Sequence, residues 1–191
     1  MSVREKQKQH RRERIYQEAV KLFFAKGFAE TTIIDIAQAA EVSRGTFFNY
    51  YPYKEMILVD YVATSLKDLH CCLEIADPIE ALYAIFARLA DFVEHNRALI
   101  MPLSYELLNP DSERSKVAFQ ALPLVSMIRE ALGRGLEQGR IRQDFSIERL
   151  SRSLANVYFM TALQWAAYLP DRSIHEEMSK QLTIALEGMA A

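Results

Sequence analysis

The chain has 191 residues, half of them hydrophobic, which is enough for a substantial core in one large domain or in a small domain followed by a larger one. Its formal net charge of -2 hides an asymmetry: residues 1–54 carry ten Lys/Arg against six Asp/Glu, and residues 55–191 carry thirteen against nineteen. A basic head on an acidic body fits a head that meets a polyanion, whereas a protein that coats DNA along its whole surface would be basic throughout.

Six Gly and six Pro fall mostly between apolar-periodic runs, and no stretch alternates with period two between turn residues. An all-α protein with short loops is therefore expected. The first fourteen residues, MSVREKQKQHRRER, have no apolar core and do not form a signal peptide. Their cations (Arg4, Lys6, Lys8, Arg11, Arg12, Arg14) suit either a solvated terminus or an arm that touches phosphate or the minor groove. A first helix is predicted over 11–26, with Ile15, Ala19, Leu22 and Phe23 on its buried face and Gly27 at the C′ position, where positive φ is needed.

The stretch TTIIDIAQAAEVSRGTFFNYYPYKE, residues 31–55, reads as two short helices joined by a tight turn. Thr32 with Asp35 has capping-box spacing, and Ile33, Ile36, Ala37 and Ala40 share one face. Ser43 caps the second helix, and Val42 with Phe47 forms a hydrophobic staple. Phe47 and Tyr51 point inward at i, i+4, and Pro52 disfavours helix at the residue before it. Arg44, Gly45, Thr46, Phe48, Asn49 and Tyr50 are left facing outward, as in a helix-turn-helix whose second helix enters a DNA groove. Arg44 suits O6 and N7 of guanine, and Gly45 permits close approach. Thr46 and Tyr50 suit the backbone, and Asn49 a base edge. Thr31 or Thr32, and Lys54, are phosphate-clamp candidates.

A connecting helix is predicted over 54–73, with Ile57, Leu58, Tyr61, Val62, Ser65, Leu66, Leu69 and Leu73 as its stripe. The head is thus assigned to 1–54 and the body to 55–191. In the body, Asp77 caps a helix to about 96 with Pro78 at N1, and further helical regions cover about 98–109, 112–138 (interrupted or kinked at Pro123), 146–169 and 173–188. The uncharged run from Ser153 to Pro170 is read as a buried or dimer-facing helix rather than a membrane span. Cys71 and Cys72 read as small helix residues in a reducing cytoplasm; a redox-responsive regulator is the alternative.

On the helix ending KGF, then TT, IA, AA and VSRGTFFNYYPYKE, the chain resembles the tetracycline-repressor (TetR) family of bacterial transcription regulators over about residues 10–60. The body matches in general layout, with the connector GRIRQDF before the last two helices. The resemblance implies about nine helices: a three-helix DNA-binding head followed by a ligand-binding and dimerisation domain. It also implies a homodimer on a palindromic operator and a small-molecule effector that moves the connecting helix and releases DNA. Repression is the usual outcome; a ligand-independent DNA-binding protein is the alternative. The last two helices would form the dimer interface, with Leu154, Ala162, Trp165, Met178, Leu182 and Ala185 as candidates. Two residues depart from the family pattern: Glu41 stands where Gly is usual and Phe48 where Tyr is usual.

The large flexible apolar side chains of the body suit a mostly apolar pocket. The candidates are Phe86, Leu89, Phe92, Met101, Tyr105, Phe119, Met127, Tyr158, Phe159 and Met160. Tyr105, Asn156, Tyr158 and Gln164 are candidate polar anchors, and Arg88, His95 or Arg97 could meet an acidic group. A hydrophobic or amphipathic ligand is expected. No Glu-x-x-His pair, His-Glu-x-x-His, Gly-x-Ser-x-Gly or Gly-rich phosphate loop occurs, so neither an enzyme nor a metal or other cofactor is expected.

Overall fold

In a computed structural model, which describes residues 2–189, ten α-helices and one 3₁₀ segment follow one another, with no strand among the described residues. The head holds α1 (Val3–Lys26), α2 (Ile33–Ala39) and α3 (Arg44–Phe48). α1 starts eight residues earlier than apolar periodicity predicts. Residues 2–13 are all exposed, so periodicity carries no signal there. Good helix formers extend the packed part outward, and Ser2 with Glu5 closes the end as a capping box. The N-terminal arm is therefore helical.

Inside the head, Ile15, Ala19 and Phe23 of α1 meet Ile36, Ala37, Ala40, Phe47 and Tyr51, all buried. Gly27 ends α1 at φ 92, a conformation that glycine adopts without a Cβ clash. α3 is only five residues long because Pro52 follows so closely.

The connector differs from the single helix expected. It is α-helical over α4 (Glu55–Ser65) and then 3₁₀ over Lys67–Glu74. The body comprises α5 (Pro78–His95), α6 (Arg97–Leu107), α7 (Ser112–Ala121), α8 (Leu124–Glu137), α9 (Ile147–Tyr168) and α10 (Ile174–Glu187). The helical region over 112–138 is interrupted rather than kinked at Pro123, because Leu122 turns extended ahead of it. The described residues thus form ten α-helices, in keeping with the expected fold of about nine.

α5 packs against α8, α9 and α10, so the strongest apolar stripes of the body face one another. α4 lies against α1 on one side and α6 and α7 on the other, which continues one core from head to body. No helix among the described residues is long and apolar enough to cross a membrane.

Candidate nucleic-acid interface and effector cavity

The two short helices of the head are held by their caps. Thr32 accepts from the Asp35 amide at 3.2 Å, and the Asp35 carboxylate accepts from the Thr32 amide at 2.7 Å and the Thr32 hydroxyl at 2.6 Å. Lys26 donates to the same carboxylate at 2.6 Å; this bond, with those from Thr32, holds Asp35 well below the usual carboxylate range. Ser43 accepts from the Thr46 amide at 3.0 Å. Phe47 is fully buried beneath α3, so the helix cannot roll about its axis.

Arg44, Gly45, Phe48 and Asn49 are exposed on the free side of α3, with Thr46 and Tyr50 half-exposed. The Thr46 hydroxyl bonds that of Ser43 at 2.9 Å. A Cβ at Gly45 would meet only Ser43 Oγ, at 3.8 Å, so the head's own packing does not require glycine there.

Two of the phosphate-clamp candidates have partners within the head. Thr31 is fully buried and donates its hydroxyl to Gly27 O at 2.7 Å. Lys54 Nζ donates to the carbonyls of Phe28, Ala29 and Thr31 at 2.7, 3.3 and 2.8 Å, and lies over the Phe28 ring. Both side chains bind the turn between α1 and α2, a role that spacing alone does not reveal. Thr32 remains exposed at its helix start.

Glu41 adopts φ 51, a left-handed conformation, where the family pattern has Gly. Its carboxylate lies 3.3 Å from Arg14 of α1. Arg12 pairs with Asp60 and lies over the Tyr51 ring. Arg4, Lys6, Lys8 and Arg11 stay exposed, with no ion pair among the described residues. Arg4, Lys8 and Arg11, at i, i+4 and i+7, share one face of α1.

In the body, α7, α8 and α9 line an open cavity of about 710 Å³, and α6 joins the wall of its apolar neighbour. It adjoins an apolar one of about 370 Å³ and a polar one of about 400 Å³. Asn156 borders all three. The walls are graded. Leu107, Leu108, Met160 and Leu163 line the apolar end, Phe119 and Phe159 the middle, and Arg129, Arg149 and Arg152 the polar end.

The gradient follows α9: Arg149 and Arg152, then Asn156, Phe159 and Leu163 recur at helical spacing over about 20 Å. None of the three arginines has an ion-pair partner among the described residues. Arg149 and Arg152 also sit in the first two turns of α9, where the helix dipole disfavours cations. An apolar chain with an anionic head fits this arrangement.

Of the expected ligand residues, Phe119, Asn156, Phe159 and Met160 line the cavities. Phe86, Leu89, Met127 and Tyr158 are core instead. Phe86 and Tyr158 support the cavity indirectly, through edge and tilted ring contacts running from Phe86 to Tyr158, Phe159 and Phe119. Phe92 makes a tilted ring contact with Tyr61, Tyr105 projects into solvent, and Met101 and Gln164 are half-buried away from the cavities. Arg97 donates to Ala166 O, His95 Nδ1 lies 2.7 Å from Asp91 O, and Arg88 does not line the cavities. Sequence reasoning missed Arg129, Arg149, Arg152, Leu107, Leu108 and Leu163.

The dimer candidates are corrected too. Leu154, Ala162, Trp165, Met178 and Leu182 are buried inside the chain's own core, and only Ala185 is half-exposed. The outer stripe of α9 is Val157, Thr161, Gln164 and Tyr168, and Ile184 of α10 is 63% exposed.

Head and body meet at Arg114 of α7. Its guanidinium donates to both oxygens of Glu106 at 3.1 and 2.6 Å, lies 3.7 Å from Glu55 and covers the Tyr53 ring at 3.6 Å. The bonds to Glu106 raise the Arg114 pKa further. α7 thus touches the start of α4 with Arg114 and the cavity with Phe119.

Residues 15–61 match the profile of bacterial regulatory proteins of the tetR family, and residues 56–188 that of the C-terminal domain of TetR/AcrR family transcriptional repressors. Among solved structures, the chain is similar to Thermus thermophilus FadR, a TetR family transcriptional repressor in complex with lauroyl-CoA. Identity is 49%, the TM-score 0.87, and the match covers 94% of this chain and 95% of that one. Bacillus subtilis FadR in complex with stearoyl-CoA shares the fold, with a TM-score of 0.73 at 16% identity over 93% of this chain and 98% of that one. The HTH-type transcriptional regulator YerO of Bacillus subtilis is 30% identical over 162 residues, 78% of this chain and 54% of that protein. The chain therefore spans about half the length of this curated relative.

Proposed function

This chain belongs to the TetR family of bacterial transcriptional regulators, and we propose that it is a cytoplasmic repressor released from its operator by an acyl-coenzyme A. Two copies join through the outer stripes of α9 and α10, and each presents α3 to one half-site of a palindrome. Arg44 and Asn49 read base edges, Phe48 contacts a thymine methyl, and Thr32, Thr46, Tyr50 and the Arg4, Lys8, Arg11 face of α1 meet phosphates.

The observation that carries the choice of effector is the graded wall of α9. A saturated chain satisfies Phe159, Met160 and Leu163, while the phosphates of a coenzyme A head satisfy Arg129, Arg149 and Arg152. The lauroyl-CoA bound to the Thermus relative agrees in kind. A free fatty acid has one charge for three arginines, and coenzyme A alone leaves the apolar end empty.

The test selects operator DNA from a random pool and follows its release by fluorescence anisotropy with lauroyl-CoA, lauric acid and coenzyme A in parallel. Release by lauroyl-CoA at tenfold or more below the other two is expected. Equal potency of lauric acid, or no release by any of the three, would overturn the assignment.

A further inference from the structure

The stretch joining head to body changes helical register part-way. α4 is α-helical to Ser65, and Lys67–Glu74 continues as a 3₁₀ helix of eight residues. Runs of that kind beyond three or four residues are uncommon, because side chains at i and i+3 eclipse and the hydrogen bonds are poorer.

Burial patterns suit two registers. Leu66, Leu69 and Cys72 are buried at a spacing of three, the 3₁₀ period, and Leu73 is only half-buried. Read at 3.6 residues per turn, the same segment continues the buried stripe of Leu58, Val62, Leu66 and Leu69 with Leu73. Cys72 then moves to the edge of the stripe. An exchange of Cys72 for Leu73 is all that separates the two apolar faces.

The far end of the segment is gripped from the cavity side. Arg134 of α8 donates through Nη1 to Ile75 O at 2.8 Å, and its buried Nε and Nη2 have no partner among the described residues. Two unused donors beside the last turn allow a second hydrogen-bond arrangement there. α8 also supplies Val125, Ser126 and Arg129 to the cavity wall. One helix therefore borders the effector and holds the end of the connector.

We infer that residues 66–74 form a two-register hinge, 3₁₀ in one functional state and α-helical in the other, and that the cavity selects the register through α8. Converting eight residues from about 2.0 to about 1.5 Å rise shortens the segment by on the order of 4 Å and rewinds it by about 160°. α4 and the head packed on it must follow. The link to the effector rests on the function proposed above; the hinge itself does not.

The chain has two cysteines, so Cys71→Ser leaves Cys72 as the sole thiol. The alkylation rate of Cys72 is measured in the full-length variant when free, saturated with operator, and saturated with lauroyl-CoA. Rates that differ fivefold or more between the operator and lauroyl-CoA complexes are expected, and a smaller difference overturns the hinge. Leu73→Glu places a charge where only the α register is buried. It should abolish that difference and cut the effector-induced change in operator affinity at least fivefold, with lauroyl-CoA affinity off DNA within threefold of wild type. An undiminished effector response in Leu73→Glu overturns the proposal. Should that variant fail to fold, Cys72 labelling decides alone. If lauroyl-CoA does not release operator from the wild type, the effector assignment fails. Labelling of free against operator-bound protein then decides the hinge by the same fivefold criterion.

Discussion

Arg14 of α1 holds the turn of the helix-turn-helix through Glu41, with its guanidinium 3.3 Å from the carboxylate and 3.4 Å from the Glu41 carbonyl oxygen. A residue with a strained backbone is thus tied to the helix behind it.

Glu41→Gly removes left-handed strain of about 1 kcal/mol and a surface ion pair worth roughly 0–1 kcal/mol, so the two effects nearly cancel. The melting temperature should stay within a few degrees of wild type. Operator affinity should rise severalfold at low salt, with the gain fading as salt increases. Glu41→Gln keeps the strain, so it should show the same gain with a lower melting temperature. Weaker operator binding by both variants would mean that the Arg14–Glu41 pair shapes the DNA-facing surface.

Arg44→Ala should cost roughly 1–3 kcal/mol of operator binding and relax preference at one base pair, read by competition between single-base operator variants. Replacing Arg4, Lys8 and Arg11 with Gln removes six cations from the dimer, so it should instead weaken all sequences alike and reduce the salt slope by about 5. An unchanged slope would leave the N-terminal turns of α1 as a solvated extension.

Gly45→Ala separates folding from binding. With only Ser43 Oγ near the added carbon, the head accommodates alanine and gains up to about 1 kcal/mol of helix propensity. Calorimetry should report equal or higher stability while operator affinity falls tenfold or more. Full affinity in the alanine variant would show that α3 does not approach DNA closely at this point.

Lys54→Met should act on stability, because the ammonium serves three carbonyls of the turn between α1 and α2. A loss of roughly 1.5 kcal/mol is expected, at the low end for charged hydrogen bonds because the side chain is part-exposed. The salt slope of operator binding should not change. A reduced slope would restore Lys54 to the phosphate contacts.

Acid titration reports on Asp35. Its folded pKa is lowered by Lys26 and Thr32, so its contribution is fully present above the unfolded value near 3.9 and is lost as pH falls through the folded value. The melting difference between wild type and Asp35→Asn should be constant above about pH 5 and shrink below about pH 4. A difference that instead shrank on raising pH from 5 to 7 would point to another group.

The caps of the head were readable because their logic is local: Thr32 with Asp35 and Ser43 with Thr46 are three residues apart. The family assignment follows from the same short stretch. The cavities were hidden because their walls come from four helices and lie off the strongest apolar stripes. Choosing the largest apolar residues therefore selected Phe86, Leu89 and Met127, which form the core. Leu154, Trp165, Met178 and Leu182 misled for the same reason, since those stripes meet within one chain. The partners of Thr31 and Lys54 are not legible in the sequence, because bonds to backbone carbonyls leave no trace in residue periodicity. The arginines do leave one: Arg149 and Arg152 near a helix start, seven and four residues before Asn156, run against the dipole.

Glu106 is 2% exposed, and its only ion-pair partner among the described residues is Arg114, with Asn109 as an additional weaker donor at 3.3 Å. Pulling α7 away strands a carboxylate inside the protein, where removing the partner of a buried pair costs about 3–5 kcal/mol; the partial exposure of Arg114 lowers that figure. Small excursions of α7 are thereby resisted, since they lose the pair without admitting enough water to replace it. Displacement of α7 therefore carries the cost of that stranded charge, which weights the equilibrium toward the seated helix.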